Sequence, residues 1–304
     1  MTVISIGVTI CTAMILFDQA HAQFVNYLST EDRAGSTILA YGKDIEQLLN
    51  HIRDNHGKTH VHHIETEHIQ SFLDALEKQE YTKKSISRKI NSIKTFFKFL
   101  KINDYVLEDP SAVISHPKFE TPAPRILSEM EFRALRDAAR DDVRTHAIIE
   151  LLLQSGIRIG ELSELRLHNI EIDESKESGV LIIDGSRTTL SRRIPLNRAA
   201  SMAVGHYLTE RPEAESNHIF ITRTGKPLLV RNIRASIDRY YNKAGIENAK
   251  VNDLRHTWIA HHIKRGTSLV MLSKLAGHKR LATTEKYLNF IDSNENTGVT
   301  LEEL

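Results

Sequence analysis

Four of the seven prolines in this chain, Pro110, Pro117, Pro122 and Pro124, fall in one short stretch. Each ring fixes φ, removes a backbone donor and pushes the preceding residue out of the helical region, so no regular element is expected to cross 106–125. The stretch is read as a semi-rigid linker, and it divides 304 residues into two parts that can each bury a core. A charged fraction of 26% beside 40% hydrophobic residues excludes collagenous, low-complexity and globally disordered chains. The net charge of +1 decides nothing about nucleic acid, because binding depends on where basic residues cluster. Cys11 is the single cysteine, so there is no intrachain disulfide and a zinc knuckle lacks its thiols. A reducing, cytoplasmic setting is the expectation.

Ahead of the prolines the periodicity is helical. Ile38, Tyr41, Ile45, Leu48 and Ile52 recur at helical spacing, as do Ile69, Phe72 and Leu76 after a cap at Thr66. From Lys83 to Lys101, Ile86, Ile90, Ile93, Phe97 and Leu100 trace an apolar stripe, and the segment carries seven basic residues and no acidic one. Solvated helix faces usually mix signs to gain i,i+4 pairs; this one forgoes them, which points to phosphate contacts. The apolar run 3–17 has the length of a signal peptide, but no Lys or Arg precedes Arg33. It is also shorter than the ~20 residues of a spanning helix. It is read as an added helix or the product of an upstream start, and no membrane partner is expected.

Beyond the prolines, Ser128 and Glu131 are spaced as a capping box, with Leu127 and Phe132 as a hydrophobic staple, opening a helix through Arg140. Helices are expected over Thr145–Ser155, closed by Gly156, and over Ile159–Leu167. Val180–Asp184 and Arg193–Leu196 read as two strands around a polar hairpin. Helical patterns return at Ala199–Thr209, Val230–Ala244, Asp253–Lys264, Ser268–Ala276 and Thr283–Phe290. The fold class is mainly α: an all-helical first domain and a mixed, mostly helical second domain with a small antiparallel sheet.

Several motifs carry no chemistry. Gly57-Lys58-Thr59 imitates the end of a phosphate-binding loop, but the required first glycine is Ile52. His60, His62, His63 and His68, like His256, His261 and His262, lack the spacing of a zinc-binding helix, so no metal is expected. Arg158 in S-G-I-R-I-G-E-L sits at a glycine-flanked junction, and Arg255 in N-D-L-R-H-T sits early in a helix; each alone suits a salt bridge. In L-A-G-H-K-R-L-A-T-T-E-K-Y, His278 follows a glycine and precedes Tyr287 by nine positions.

Taken in order, these boxes resemble the tyrosine recombinase (phage integrase) family, and the chain is most similar in length and layout to its Xer-like, two-domain members. The resemblance spans residues 20–290. It implies an N-terminal core-binding, SAM-like domain (18–105), the linker (106–125), a catalytic domain (126–292) and an acidic tail (293–304). It implies site-specific cleavage and rejoining of double-stranded DNA through a 3′-phosphotyrosyl intermediate, with no cofactor, by a homo- or hetero-tetramer associated with the nucleoid. The matching catalytic positions are Arg158, Arg187, Asn252, Arg255, His278 and Tyr287. Two depart from the pattern: Arg187 replaces a hairpin lysine, and Asn252 replaces the first histidine of the H-x-L-R-H box.

Two guanidinium forks suit an anionic pentacovalent phosphate, and a tyrosine nucleophile stores the bond energy as an ester without ATP. A guanidinium is a poor acid and an amide cannot accept a proton, so Arg187 and Asn252 weaken the acid and base terms. Phosphate contacts are assigned to Lys84, Arg88, Lys94, Lys98, Arg231 and Arg234. The alternative is a catalytically weakened, recombinase-like DNA-binding or regulatory protein; a helical transcription regulator would leave the tyrosine box unexplained.

Overall fold

The computed structural model describes residues 14–290 apart from 121, 174, 176, 187 and 188. Among them are twelve α-helices and one three-stranded antiparallel sheet, so the chain is mainly α. The chain divides into two compact units, the first ending at Thr121 and the second beginning at Pro122.

The first unit holds α1 (Phe17–Thr30), α2 (Gly35–His56), α3 (Thr66–Lys78) and α4 (Lys83–Ile102). The run 3–17 is not an added helix where it is described: Leu16 is extended and bridges to His60, and the helix begins at Phe17. Residues 3–13 of that run lie outside the described residues. Phe17, Ala20, Phe24 and Leu28 bury one face of α1, and the Phe24 and Phe96 rings meet edge-on at 5.1 Å. All five residues of the apolar stripe on α4 are buried, as their spacing requires.

Two details differ from expectation. The cap of α3 is Glu65, whose backbone N–H donates to His68 Nδ1 at 2.9 Å, while the Thr66 hydroxyl donates to Pro110 O at 2.8 Å. Val106, Ser111 and Ile114 are buried in the first unit, so the early part of the proline stretch is core rather than linker.

The second unit opens on α5 (Glu129–Ala138), with the Ser128–Glu131 capping box formed from both sides. The apolar helix α6 (Val143–Ser155) runs through the core, followed by α7 (Ile159–Glu164) and the strands β1 (Ile170–Asp173), β2 (Ser178–Ile183) and β3 (Arg192–Leu196). Strand order is β1-β2-β3, with Leu181 opposite Ile194. β1 was not anticipated because four residues give too short an alternation; Ile170 and Ile172 pack on the core while Glu171 pairs outward with Arg193. The remaining helices are α8 (Arg198–Glu210), α9 (Val230–Lys243), α10 (Val251–Lys264), α11 (Leu269–Ala276) and α12 (Ala282–Glu285), then a 3₁₀ turn over Lys286–Phe290. Among the described residues no helix is long and apolar enough to cross a membrane.

Candidate active site

Two glycine-ended helices build the cationic wall of a cleft. α6 stops at Gly156, whose φ of +62° is left-handed and where a Cβ would lie 2.2 Å from the Trp258 ring. The turn delivers Arg158 to the N-cap of α7. α11 stops likewise at Gly277, φ +65°, where a Cβ would lie 2.7 Å from the Arg192 guanidinium. Arg158 Nη2 donates to Gly277 O at 2.8 Å. Arg255, buried on α10, donates from Nη1 to Gly156 O and from Nη2 to Ala276 O at 2.6 Å. The acceptors are helix-end carbonyls, which lack intrahelical partners and favour cations. Burial, reinforced by Arg158, lowers the Arg255 pKa to about 10, which leaves it charged at neutral pH.

Glu161 on α7 organises the arginines. It accepts from the Arg158 backbone N–H at 2.8 Å, Arg158 Nη1 at 2.9 Å, and Arg192 Nη1 and Nη2 at 3.0 and 2.8 Å. Burial pushes this carboxyl up, but the bonds and charges of Arg192 and Arg158 outweigh it and hold the pKa below its ordinary value. Arg192 also donates from Nε to Leu275 O at 2.7 Å. Sequence reasoning missed both residues. A glutamate three residues into a helix, placed to reach back to the N-cap backbone N–H, was a usable signal for Glu161. Nothing in S-R-R-I-P-L separates Arg192 from Arg193; strand alternation buries the first and sends the second outward to Glu171.

The remaining groups come from α10 and the segment after α11. His278 Nδ1 lies 2.8 Å from Thr284 Oγ1. Burial and then the charges of Arg255, Arg158 and Arg192 lower the His278 pKa to about 4, so the ring is neutral. Tyr287, in the 3₁₀ turn, is 8% exposed; burial raises its pKa against the pull of Arg255 and Arg158. Its Oη is 2.6 Å from His256 Nδ1. His256 was also missed as a site residue, although it is the second histidine of the H-x-L-R-H box. Asn252 is exposed one turn earlier on α10, on the same face. Arg158, Asn252, Arg255, His278 and Tyr287 line one cleft of about 980 Å³, together with Glu161 and His256. Arg187 lies outside the described residues.

The residues assigned to phosphate contacts fall in two places. Lys84 and Lys98 are exposed and Lys94 half-buried on α4, while Arg231 and Arg234 are exposed on α9. Arg88 differs from its neighbours: it is ion-paired with Asp44 of α2, a buried carboxylate that also receives Lys89 Nζ and Ser92 Oγ, each at 2.8 Å. The acid missing from α4 is thus supplied across the helix interface, a partner that a linear reading of α4 does not contain. No group of three or more His, Cys, Asp or Glu among the described residues could hold a metal ion.

Residues 22–103 match the phage integrase N-terminal SAM-like domain, and residues 125–293 match the phage integrase family. The chain is 30% identical to tyrosine recombinase XerC of Natranaerobius thermophilus over 278 residues, covering 87% of this chain and 91% of the relative. It is 27% identical to XerC of Lacticaseibacillus casei over 279 residues, covering 88% and 92%. Its fold is similar to that of the XerH site-specific recombinase bound to a palindromic difH substrate in a post-cleavage complex, with a TM-score of 0.72, 15% identity, and coverage of 90% of this chain and 82% of that one. Two domain matches in the expected order, and an Arg, Arg, His, Tyr cluster gathered in one cleft, establish that this chain belongs to the phage integrase family of tyrosine recombinases.

Proposed function

We propose that this site-specific recombinase cleaves and rejoins duplex DNA through Tyr287, with a 3′-phosphotyrosyl intermediate. The observation that carries the reading is that Tyr287 lines the same cleft as Arg158 and Arg255. The two guanidiniums neutralise the non-bridging oxygens as charge builds in the pentacovalent state, and their fixed carbonyl anchors mean little reorganisation is needed. Neutral His278, with Nδ1 facing the Thr284 hydroxyl, has Nε2 available to donate to the phosphate. Arg187, at the position of the family's hairpin lysine, is assigned charge stabilisation at the leaving oxygen on sequence alone. The ester conserves the energy of the broken bond, so rejoining is the reverse attack.

Residues 126–292 are assigned as the catalytic domain and 18–105 as the core-binding domain, whose Lys84, Lys94 and Lys98, with Arg231 and Arg234 of the catalytic domain, set register on the backbone. Arg88 joins them through the part of its side chain that Asp44 leaves exposed. One tyrosine cuts one strand, and exchange between two duplexes cuts four, so the working assembly is four copies, identical or mixed with a second recombinase. A DNA substrate of this kind puts the protein in the cytoplasm, at the nucleoid.

A nicked suicide duplex tests the reading. The protein should form an SDS-resistant adduct that maps to Tyr287, and Tyr287→Phe should abolish it while leaving DNA binding within about twofold. Arg158→Ala and Arg255→Ala should each slow adduct formation by about 10²–10³-fold. A chain that binds the duplex and never forms the adduct would instead be the regulatory protein.

A further inference from the structure

Asn252 stands where the resemblance implies a histidine and cannot accept a proton, yet a tyrosine nucleophile must still lose its own. We propose that His256 is the general base for Tyr287: its Nδ1 takes the phenolic proton as Oη attacks the phosphorus. This rests on Tyr287 being the nucleophile.

Three observations support it. The imidazole is already at 2.6 Å from Oη, within reach for direct proton transfer, and it is the only hydrogen-bond partner of that hydroxyl among the described residues. Asn252 and His256 are one turn apart on one face of α10, so with an amide at 252 the imidazole that this face still offers the tyrosine is His256. The other acceptors in contact with the arginines are spent. Glu161 receives four hydrogen bonds, one for each of its lone-pair sites. His278 is engaged by Thr284 and is too weak a base, with a pKa of about 4.

The ring must be neutral to serve. Burial lowers the His256 pKa from 6.5, Asp253 on the same helix opposes that, and Arg255 adds to it; Tyr287 and His278 face it from the following segments. With the hydrogen on Nε2, Nδ1 presents its lone pair to the phenol. In the step, the Oη–H bond breaks and its proton joins Nδ1, the Oη–P bond forms, and the P–O5′ bond breaks. The 5′ oxygen leaves with the electron pair and takes a proton from water. On rejoining, the imidazolium returns its proton to the released phenol, with Asp253 available to stabilise the cation meanwhile.

The test is the single-turnover rate of adduct formation on the suicide duplex from pH 5 to pH 9, for wild type, His256→Asn, and both proteins carrying 3,5-difluorotyrosine at position 287. Asn keeps an acceptor near the position of Nδ1 but cannot take up a proton. The expected result is a loss of about 10²-fold in His256→Asn with DNA binding and thermal stability retained. The acidic limb of the wild-type profile, where His256 becomes protonated, should disappear. The more acidic fluorinated phenol should recover most of the lost rate, which a purely structural role for His256 would not allow. Asn252→His in the His256→Asn background should also recover rate by restoring a base one turn away. An adduct on Tyr287 at an unchanged rate in His256→Asn, or an equal deficit with the fluorinated phenol, overturns this proposal alone. A wild-type adduct that is absent or maps elsewhere overturns the nucleophile assignment and this proposal together. If His256→Asn unfolds, the wild-type comparison of the two phenols decides: a base-limited step should show a faster rate and a shifted acidic limb with difluorotyrosine, and an unchanged rate and limb refute the proposal.

Discussion

Glu161 grips Arg192 through two parallel hydrogen bonds, 3.0 and 2.8 Å long, and their side chains are 5% and 6% exposed. The same carboxylate orients Arg158, so one buried acid aligns two cations. Glu161→Ala leaves Arg192 buried without its counter-charge and should cost about 3–5 kcal/mol. Replacing both partners by apolar residues of similar volume should recover stability but not cleavage, because Arg158 has lost the carboxylate that orients it. The Glu161 pKa is depressed in the fold, so its contribution is complete above the ordinary value of 4.5 and is lost as pH falls through the lowered one. Urea unfolding from pH 7 to pH 3 should therefore show the wild type and Glu161→Ala converging in acid.

Gly156 and Gly266 share left-handed backbones, φ +62° and +75°, but a Cβ would meet the Trp258 ring at the first and nothing within 4 Å at the second. Gly266→Ala should cost about 1–2 kcal/mol, the conformational term alone. Gly156→Ala should cost distinctly more and misplace Arg158 and Arg255. Equal losses in thermal unfolding would show that the Trp258 contact relaxes freely.

The salt dependence of DNA binding separates the two kinds of basic residue on α4. Lys84→Ala combined with Lys98→Ala should flatten the log–log slope by about 1.8, since each phosphate contact contributes about 0.9. Arg88→Ala should flatten it less, because Asp44 already shares that charge, and should lower the melting temperature of the first unit as well. A slope unmoved by the double lysine change would mean that this face is only solvated.

His278 makes stability pH-dependent in a second window. The unfolded ring takes up a proton near 6.5 and the folded ring near 4, so between these values the unfolded state binds more protons and stability falls as pH falls. His278→Asn should reduce that slope without abolishing it, because burial also lowers the pKa of His146, His256 and His262. An identical slope in the variant would place the pKa of His278 at its ordinary value.

Much of this molecule is legible in one dimension because its determinants are local. The helical stripe of α4, the Ser128–Glu131 capping box and the glycine stop at Gly156 depend on neighbours within a turn or two, and the order of Arg158, Arg255, His278 and Tyr287 is itself linear information. What folding alone decided is which charges meet across elements. Arg192 is buried on Glu161 while Arg193 is not, Arg88 is claimed by Asp44 from another helix, and His256 rather than Asn252 is hydrogen-bonded to the tyrosine. Desolvation and opposite charge act through space at a few ångströms, so the partner that fixes each group's chemistry lies anywhere from a few to dozens of residues away along the chain.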